Sequence, residues 1–320
     1  MSTEKKGLLR LGYWLPYRKT MTSVTYETPG ALLEAMRDGM LSHLRKNAAL
    51  ELVGYDDFRD WTLSSGEILL EDGSKPELDG FVWFGEIGRD YRRNYHLELL
   101  KALQKGNTTV INNPLGYELA MDKYLTSSEL SRHGIPVPRF MLLKRQHSED
   151  AIKHLKSWES PILLKPRLGS YGIGIIKIDD PEDVVNVIDY APPENHYVEQ
   201  MIPNDPAKWI GINIIGGKHA YSYRKGPESF FGGWKVMDRK SVGGKMLLAH
   251  PSSEQLEIAM KIAELFDMAW VGVDMVVDSS GNSYVVDVNA FPGLYPEMFS
   301  QAGVDGPKMM ADAVLRKLGI

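Results

Sequence analysis

An α/β fold built in lobes is what this sequence predicts, on three observations. Over roughly the first 115 residues, short apolar runs alternate with helix-length segments, the pattern of a parallel sheet with helices on its faces. In the middle, PILLKPRLGSYGIGIIKI sets three glycines between two apolar strands. Near the end, VGVDMVVDSSGNSYVVDVNAFPG, from Val271 to Gly293, reads as two strands joined by a Ser-Ser-Gly-Asn turn.

The elements follow in order. Leu8 to Leu15 is the first strand. Thr28 caps a helix with Pro29 at its first position, and Leu33, Met36, Met40 and Leu44 mark its apolar face. Leu50 to Tyr55 and Gly80 to Phe84 read as buried strands, and Tyr95 to Leu103 as a helix. Thr108 to Ile111 is a short strand ending at Asn112-Asn113-Pro114. No GxGxxG follows the first strand, so the dinucleotide fingerprint is absent. One helix runs from about Leu119 to His133, where Gly134 stops it and Pro136 and Pro138 prevent resumption. Ser160 to Lys165 is a strand, Pro166 to Gly174 a loop, and Ile175 to Ile178 the returning strand. Tyr197 to Ile202 is a strand leading to a Pro-Asn-Asp-Pro turn. Ile210 to Ile215 and His219 to Tyr223 form a hairpin across Gly216-Gly217. Phe230 to Lys245 is a Gly-rich, aromatic and basic loop. Ser252 and Gln255 make a capping box for a helix to Phe266, with Leu256, Ala259, Ala263 and Phe266 inward. Breaks near 113 and 198 divide the chain into domains 1–113, 114–198 and 199–320.

Composition narrows the function. The 320 residues, 43% hydrophobic, permit two or three lobes. A net charge of −5 argues against nucleic-acid or membrane-surface partners. With no cysteine, disulfides, thiolate catalysis and Cys-based zinc sites are excluded. The opening MSTEKKGLL has no long apolar run behind its charges, and nothing approaches ~18 consecutive apolar residues. A cytoplasmic protein is the expectation, and a homo-oligomer is compatible with it.

The last hairpin carries the strongest chemical signal. With Asp278 and Ser283 flanking a four-residue loop, Val277 faces Tyr284, Met275 faces Val286 and Val273 faces Val288. The other face then sets Asp274 opposite Asp287, with Asn289 on the same side. A one-residue slip would mix the two faces. Facing carboxylates have Cβ atoms about 5 Å apart and repel, so a cation belongs between them. Three hard oxygen ligands suit Mg²⁺ held jointly with substrate phosphates.

Gly169, Gly172 and Gly174 let backbone N–H groups crowd around phosphate oxygens. The loop is neither a Walker loop, since Gly174 is followed by Ile-Ile, nor a Rossmann turn, since it returns to a strand. Lys165 closes the incoming strand, where its ammonium reaches a phosphate. Alone, such a hairpin is more often just a flexible turn; the carboxylate pair beside it favours the phosphate loop.

AMDKYLTSSELSRHGIPVPRF (120–140), ILLKPRLGSYGIGI (162–175), YVEQMI (197–202), VGVDMVV (271–277) and YVVDVNAFPG (284–293) together resemble the ATP-grasp superfamily. The nearest branch is the RimK-like carboxylate–amine ligases, over about Asn112 to Pro296, thinly between 203 and 250. That resemblance implies an ATP-grasp fold behind an N-terminal Rossmann-like pre-ATP-grasp domain. Lys123 and Lys165 would hold ATP phosphates from two sides, under the loop Gly169, Ser170, Tyr171, Gly172 and Gly174. Glu199, Gln200 and Met201 would read adenine through backbone groups, with Lys208 also in the ATP site. Asp274, Asp287 and Asn289 would hold two Mg²⁺, or Mn²⁺, and Arg224 would stabilise the phosphoryl group in flight together with Lys165. The implied reaction joins a carboxylate to an amine of an amino acid or peptide through an acyl phosphate.

The chain departs from the pattern on the substrate side. Asp287 stands where a Glu is usual. Trp209-Ile210-Gly211, after Lys208, replaces an Asp-x-Arg. Asp238-Arg239-Lys240-Ser241 and then Gly243-Gly244 replace an Asn-containing segment on the acceptor side. Arg89, Arg92 and Arg93, after the strand Gly80–Phe84, offer bidentate contacts to a carboxylate, or simply begin a solvated helix. Arg239, Lys240 and Lys245 form a second basic cluster, and the two clusters favour an anionic substrate. The ending Asp-Val-Asn-Ala-Phe-Pro-Gly also resembles inositol polyphosphate kinases, whose phosphate loop lacks the Gly-Ser-Tyr-Gly-Ile-Gly pattern. A small-molecule kinase and a nucleotide-binding protein without turnover are therefore the alternatives.

Overall fold

The computed structural model describes residues 8–15, 30–85, 87, 91–143, 148–158, 161–169, 172–184, 195–236 and 245–320, with 30–34, 91–93 and 148 described by backbone alone. Thr28, Pro29, Arg89, Ser170, Tyr171, Arg239, Lys240, Gly243 and Gly244 lie outside the described residues.

The chain begins with β1 (Leu9–Trp14), α1 (Gly30–Leu44) and β2 (Leu50–Gly54). A small hairpin, β3 (Thr62–Ser64) and β4 (Glu67–Leu69), interrupts the alternation before β5 (Gly80–Trp83), α2 (Tyr91–Lys105) and β6 (Thr109–Ile111). Strands β2, β1, β5 and β6 pair in that order, all parallel. Met36, Met40 and Leu44 are buried, as the spacing on α1 predicts.

The helix expected from Leu119 to His133 is two helices, α3 (Pro114–Met121) and α4 (Lys123–Arg132). The break has a local cause. Asp122 leaves helical geometry and caps α4, accepting from the N–H groups of Tyr124 and Leu125. Its carboxylate also takes the Arg167 guanidinium at 2.6 and 2.9 Å. His133 is the C-cap of α4, in keeping with the sequence.

The central sheet contains β7 (Phe140–Leu142), β8 (Ile162–Pro166), β9 (Ile176–Ile178) and β10 (His196–Gln200), with α5 (Ser148–Lys156) beside it. Its order is β7-β10-β8-β9, all antiparallel. The third sheet joins β11 (Ile210–Ile215), β12 (Lys218–Lys225), β15 (Met246–Ala249), β16 (Trp270–Val277) and β17 (Ser283–Asn289) in the order β15-β12-β11-β16-β17. Between β12 and β15 lies the two-stranded hairpin β13 (Phe230–Phe231) and β14 (Lys235–Val236). The helix α6 (Ser253–Leu265) carries the expected Ser252–Gln255 capping box. Helices α7 (Pro296–Gln301) and α8 (Gly306–Lys317) close the chain.

The core is shared between the ends of the chain. Leu11, Met36, Met40 and Val82 pack in one buried cluster with Trp270, Met310 and Val314. The central lobe has its own cluster, built on Leu143, Leu155, Trp158, Ile162, Leu164, Ile178, Val184 and Val198. Asn112, fully buried at the end of β6, joins the first and third sheets. Its Nδ2 donates to the carbonyls of Trp270 (2.8 Å) and Ala290 (3.0 Å). Its Oδ1 accepts from the N–H groups of Ala269 (2.7 Å) and Trp270 (3.2 Å). Among the described residues no helix is long and apolar enough to cross a membrane.

Two β-bulges set the third sheet. On β17, Met275 pairs with Val285 but Asp274 with Asp287, so Val286 is an extra residue. On β12, Ile214 pairs with His219 but Asn213 with Tyr221, so Ala220 is an extra residue. The first bulge corrects the register read from the sequence. The turn is tighter than expected: Asp278 N–H donates to Asn282 O at 3.0 Å and Val277 pairs with Ser283. Val277 thus does not face Tyr284, and Met275 faces Val285 rather than Val286. The bulge absorbs the odd residue and restores the expected pairs Asp274–Asp287 and Val273–Val288.

Candidate active site

The facing aspartates form one wall of the junction between the central and third sheets, where Lys165 of β8 reaches Val286 O of β17. Asp274 and Asp287 are directly paired across β16 and β17, and Asn289 Nδ2 reaches Asp274 Oδ2 at 3.4 Å. Burial first, and Asp287 second, push the Asp274 carboxyl from the ordinary aspartate value up to about 7; Lys225, Lys123 and Asn289 pull the other way. Such a pair needs positive charge. Lys123 supplies part of it, with Nζ 2.5 Å from Asp287 Oδ1.

The two lysines expected to hold phosphate both reach this wall. Lys123 opens α4, and its N–H donates to Arg167 O at 2.9 Å, so the Asp122–Arg167 pair fixes the start of its helix against the base of the glycine loop. Lys165, on β8, is buried. Its Nζ donates to Glu199 Oε1 at 2.8 Å and to Val286 O at 3.4 Å. That carbonyl belongs to the bulged residue, which the ladder leaves unpaired. The Glu199 carboxylate also accepts from Tyr197 O–H at 3.0 Å, and burial, followed by Glu199, raises the Tyr197 hydroxyl well above its ordinary value.

The loop between β8 and β9 begins at Arg167, and Gly172 and Gly174 adopt φ of +70° and +79°, where a side chain would be strained. Gly169 lies at the base of the loop, where a Cβ would meet Pro166 Cγ at 3.3 Å. Glu199 and Gln200 end β10 and Met201 follows. The Gln200 and Met201 N–H groups donate to Arg139 O (2.7 Å) and Pro161 O (2.9 Å). The Glu199 side chain, beyond its backbone, is thus a partner of the Lys165 ammonium. Lys208 is exposed in a short 3₁₀ turn ahead of β11.

Arg224 is not brought to the aspartates. Cα partners across the sheet line up as Tyr223, Gly211, Asp274 and Asp287. Arg224 falls in the next row, level with Ile210 and Met275, whose side chains turn to the opposite face. It is exposed, with Nη1 3.5 Å from Ala207 O. Lys225 is on the aspartate face, lowers the Asp274 carboxyl, and lies 5.2 Å over the Trp209 ring. The bulge at Ala220 makes the difference, since without it Arg224 would share that face. The resemblance pointed to Arg224, and the two-residue Gly-Gly turn gives no sign of the bulge. Arg92 and Arg93 are in the first turn of α2.

Among the described residues no group of three or more His, Asp, Glu or Cys side chains gathers in one place. Two aspartates and an asparagine, hard oxygen donors with a cationic lysine alongside, fit a divalent ion that arrives with phosphate oxygens and do not fit a closed transition-metal site.

Comparison with known proteins accords with this arrangement. A model of the RimK-like ATP-grasp domain matches residues 120–314. The coenzyme gamma-F420-2:alpha-L-glutamate ligase of Methanococcus maripaludis is 24% identical over 222 residues, covering 68% of this chain and 75% of that protein. The D-alanine–D-alanine ligase of Natranaerobius thermophilus is 26% identical over 259 residues, covering 73% and 67%. Among solved structures, the ATP-grasp ligase PsnB complexed with minimal precursor, Mg and ADP superposes with a TM-score of 0.64 at 15% identity, covering 97% of this chain and 98% of PsnB. The D-alanine–D-alanine ligase of Bacillus anthracis complexed with ATP gives 0.64 at 17%, covering 98% and 97%. The structural likenesses establish the ATP-grasp fold. With the domain match spanning more than half of its length, the chain belongs to the RimK-like ATP-grasp family of ATP-dependent ligases.

Proposed function

We propose that the protein is a carboxylate–amine ligase that works through an acyl phosphate. A substrate carboxylate oxygen attacks the γ-phosphorus of ATP, the bond to the β-phosphate oxygen breaks, and ADP leaves. An amine nitrogen then attacks the acyl carbon, the carbon–oxygen bond to phosphate breaks, and inorganic phosphate departs while the nitrogen loses a proton to solvent. Phosphoryl transfer asks a protein mainly for positioning and charge neutralisation. The observation that carries the proposal is the convergence of Lys123 and Lys165 on the Asp274–Asp287 hairpin.

In this scheme Lys123 and Lys165 hold phosphate oxygens, and Gly169, Ser170, Tyr171, Gly172 and Gly174 cover them. Glu199, Gln200 and Met201 border the adenine, with Lys208 at the rim. Lys225, on the aspartate face, serves where the sequence suggested Arg224. Asp274, Asp287 and Asn289 would hold Mg²⁺, two ions in our proposal, with Mn²⁺ an acceptable substitute. When bound, the metal neutralises charge on the phosphate oxygens. A relative named as an alpha-L-glutamate ligase and the PsnB structure complexed with the precursor peptide PsnA2 support an amino acid or peptide as substrate.

The test is phosphate release by the full chain with ATP and Mg²⁺ across a panel of amino acids and dipeptides. A ligase releases ADP and free phosphate only when acid and amine are both present. Phosphate retained on a single acceptor would instead identify a kinase. ADP formed with no member of the panel would leave a nucleotide-binding protein. Asp287→Asn is expected to abolish turnover with the fold intact.

A further inference from the structure

The hairpin β13–β14 carries a lysine in an unexpected setting. Its turn is made by Gly232 and Gly233, at φ of +59° and +75°, and Phe231 pairs with Lys235. On a surface hairpin a lysine ordinarily points to water and a phenylalanine inward. Here the order is inverted: Phe231 is 48% exposed and Lys235 only 9%. An ammonium withdrawn from water needs strong compensation. Lys235 Nζ donates to the Ile175 carbonyl at 3.0 Å and lies 5.8 Å over the Trp234 ring. Ile175 directly follows Gly174 and leads into β9 of the central lobe. The bond therefore crosses from the third-sheet side of the junction to the exit of the glycine loop.

The neck of the segment bearing the hairpin is also fixed. Gly226 N–H donates to Lys245 O at 2.8 Å, and Lys245 N–H donates to the Glu228 carboxylate. One stretch of chain thus runs from Lys225, facing Asp274, through this neck to the hairpin, and from Lys235 across to the loop. Resting on the assignment of Gly169–Gly174 as the phosphate loop, we infer that Lys235 is a positioning residue that latches this loop to the β13–β14 hairpin. The seat of the loop is then set from the segment that connects β12 and β15. The acceptor of the bond is a backbone carbonyl, so the side chain at 175 is immaterial. The donor must be long and cationic, which Arg satisfies and Met does not.

Two measurements on the full chain test this. Hydrogen exchange of 172–178 is followed in the ligand-free protein, with α6 as an internal control. Release of a fluorescent ADP analogue, mant-ADP, is timed in the presence of Mg²⁺. Losing one charge-assisted hydrogen bond, Lys235→Met should speed both by about tenfold while leaving α6 unchanged. Lys235→Arg should hold both within about twofold of the wild type, the conservative rescue that a merely space-filling role would not give. Unchanged exchange of 172–178 in Lys235→Met overturns the latch whatever the protein's reaction. Wild-type protein that binds no mant-ADP refutes the nucleotide assignment instead, and the exchange arm still decides the latch.

Discussion

Replacing Asp274 by Asn should stabilise the metal-free protein while destroying its activity. Asp274 has its carboxyl raised from 3.8 to about 7 by burial and by Asp287. Well below pH 3.8 the group is protonated in both folded and unfolded chains and contributes nothing. Between pH 4 and 7 the unfolded chain releases this proton and the folded chain keeps it, so folding stability falls as pH rises. Above about 7 the penalty is complete and constant. A shift of roughly three units corresponds to about 4 kcal/mol as an upper bound. Asp274 is only half-buried, so solvent screening brings the expectation to about 2–4 kcal/mol. Asparagine keeps the shape and removes the charge. Lys123 retains Asp287, so no new unpaired ammonium is made. The assay is chemical denaturation of wild type and Asp274→Asn in chelator at pH 4, 6 and 8. The stability difference should be near zero at pH 4 and reach about 2–4 kcal/mol in favour of the variant at pH 8. Turnover should be lost throughout. A variant no more stable than wild type at pH 8 would refute the claim that the fold bears an uncompensated charge here.

Three further outcomes follow from the same geometry. Affinity for Mg²⁺–nucleotide should weaken by up to about tenfold per pH unit below 7, because Asp274 must lose a proton to accept a cation; a flat profile from pH 5.5 to 8 in a mant-ADP titration would count against this. Lys225→Ala should lower kcat by about 10²-fold or more, whereas Arg224→Ala should stay within about twofold, because only Lys225 shares the aspartate face; the reverse ranking in steady-state kinetics would refute the register argument. Asn112→Ala should cost about 3–5 kcal/mol, since it strands buried backbone groups of Ala269, Trp270 and Ala290, and denaturation midpoints would reveal it.

What the sequence made legible were features carried by short-range pattern. Parallel strands in the first lobe, the Ser252–Gln255 cap, the glycine loop and the facing pair Asp274–Asp287 all depend on residue type and spacing within a few positions. What it hid depends on partners far along the chain. The Asp122–Arg167 pair, which ties the start of α4 to the base of the glycine loop, spans 45 residues and leaves no local mark. Glu199 reads as a strand-edge residue until Lys165 is beside it. The hairpin Thr62–Leu69 is short and mostly exposed, so no periodicity marks it. Lys225 escaped for a different reason: the resemblance pointed to its neighbour Arg224, and alternation along a strand is reliable only as far as the first bulge.

The two bulges gather the residues of the candidate site on an otherwise ordinary antiparallel sheet. A regular ladder from the tight turn at Ser279–Gly281 would put Asp274 opposite Val286, and the carboxylates would not face each other. The extra residue at Val286 brings Asp287 into line and leaves a carbonyl for Lys165. The extra residue at Ala220 brings Lys225 to the same face. The Val286 bulge sets two carboxylates face to face in one small patch, and their repulsion opposes folding; the Ala220 bulge adds Lys225, which offsets part of it. The rigidity that holds the patch comes from elsewhere: the core shared between the first and third sheets, and the four hydrogen bonds of Asn112. Stability and chemistry are thus divided between two ends of the same strands. Asn112 anchors β16 at Trp270, and four residues further on the strand carries Asp274 to the junction. A change at the anchor should therefore lower stability without altering the pH at which Asp274 titrates, and a change at the bulge should do the opposite.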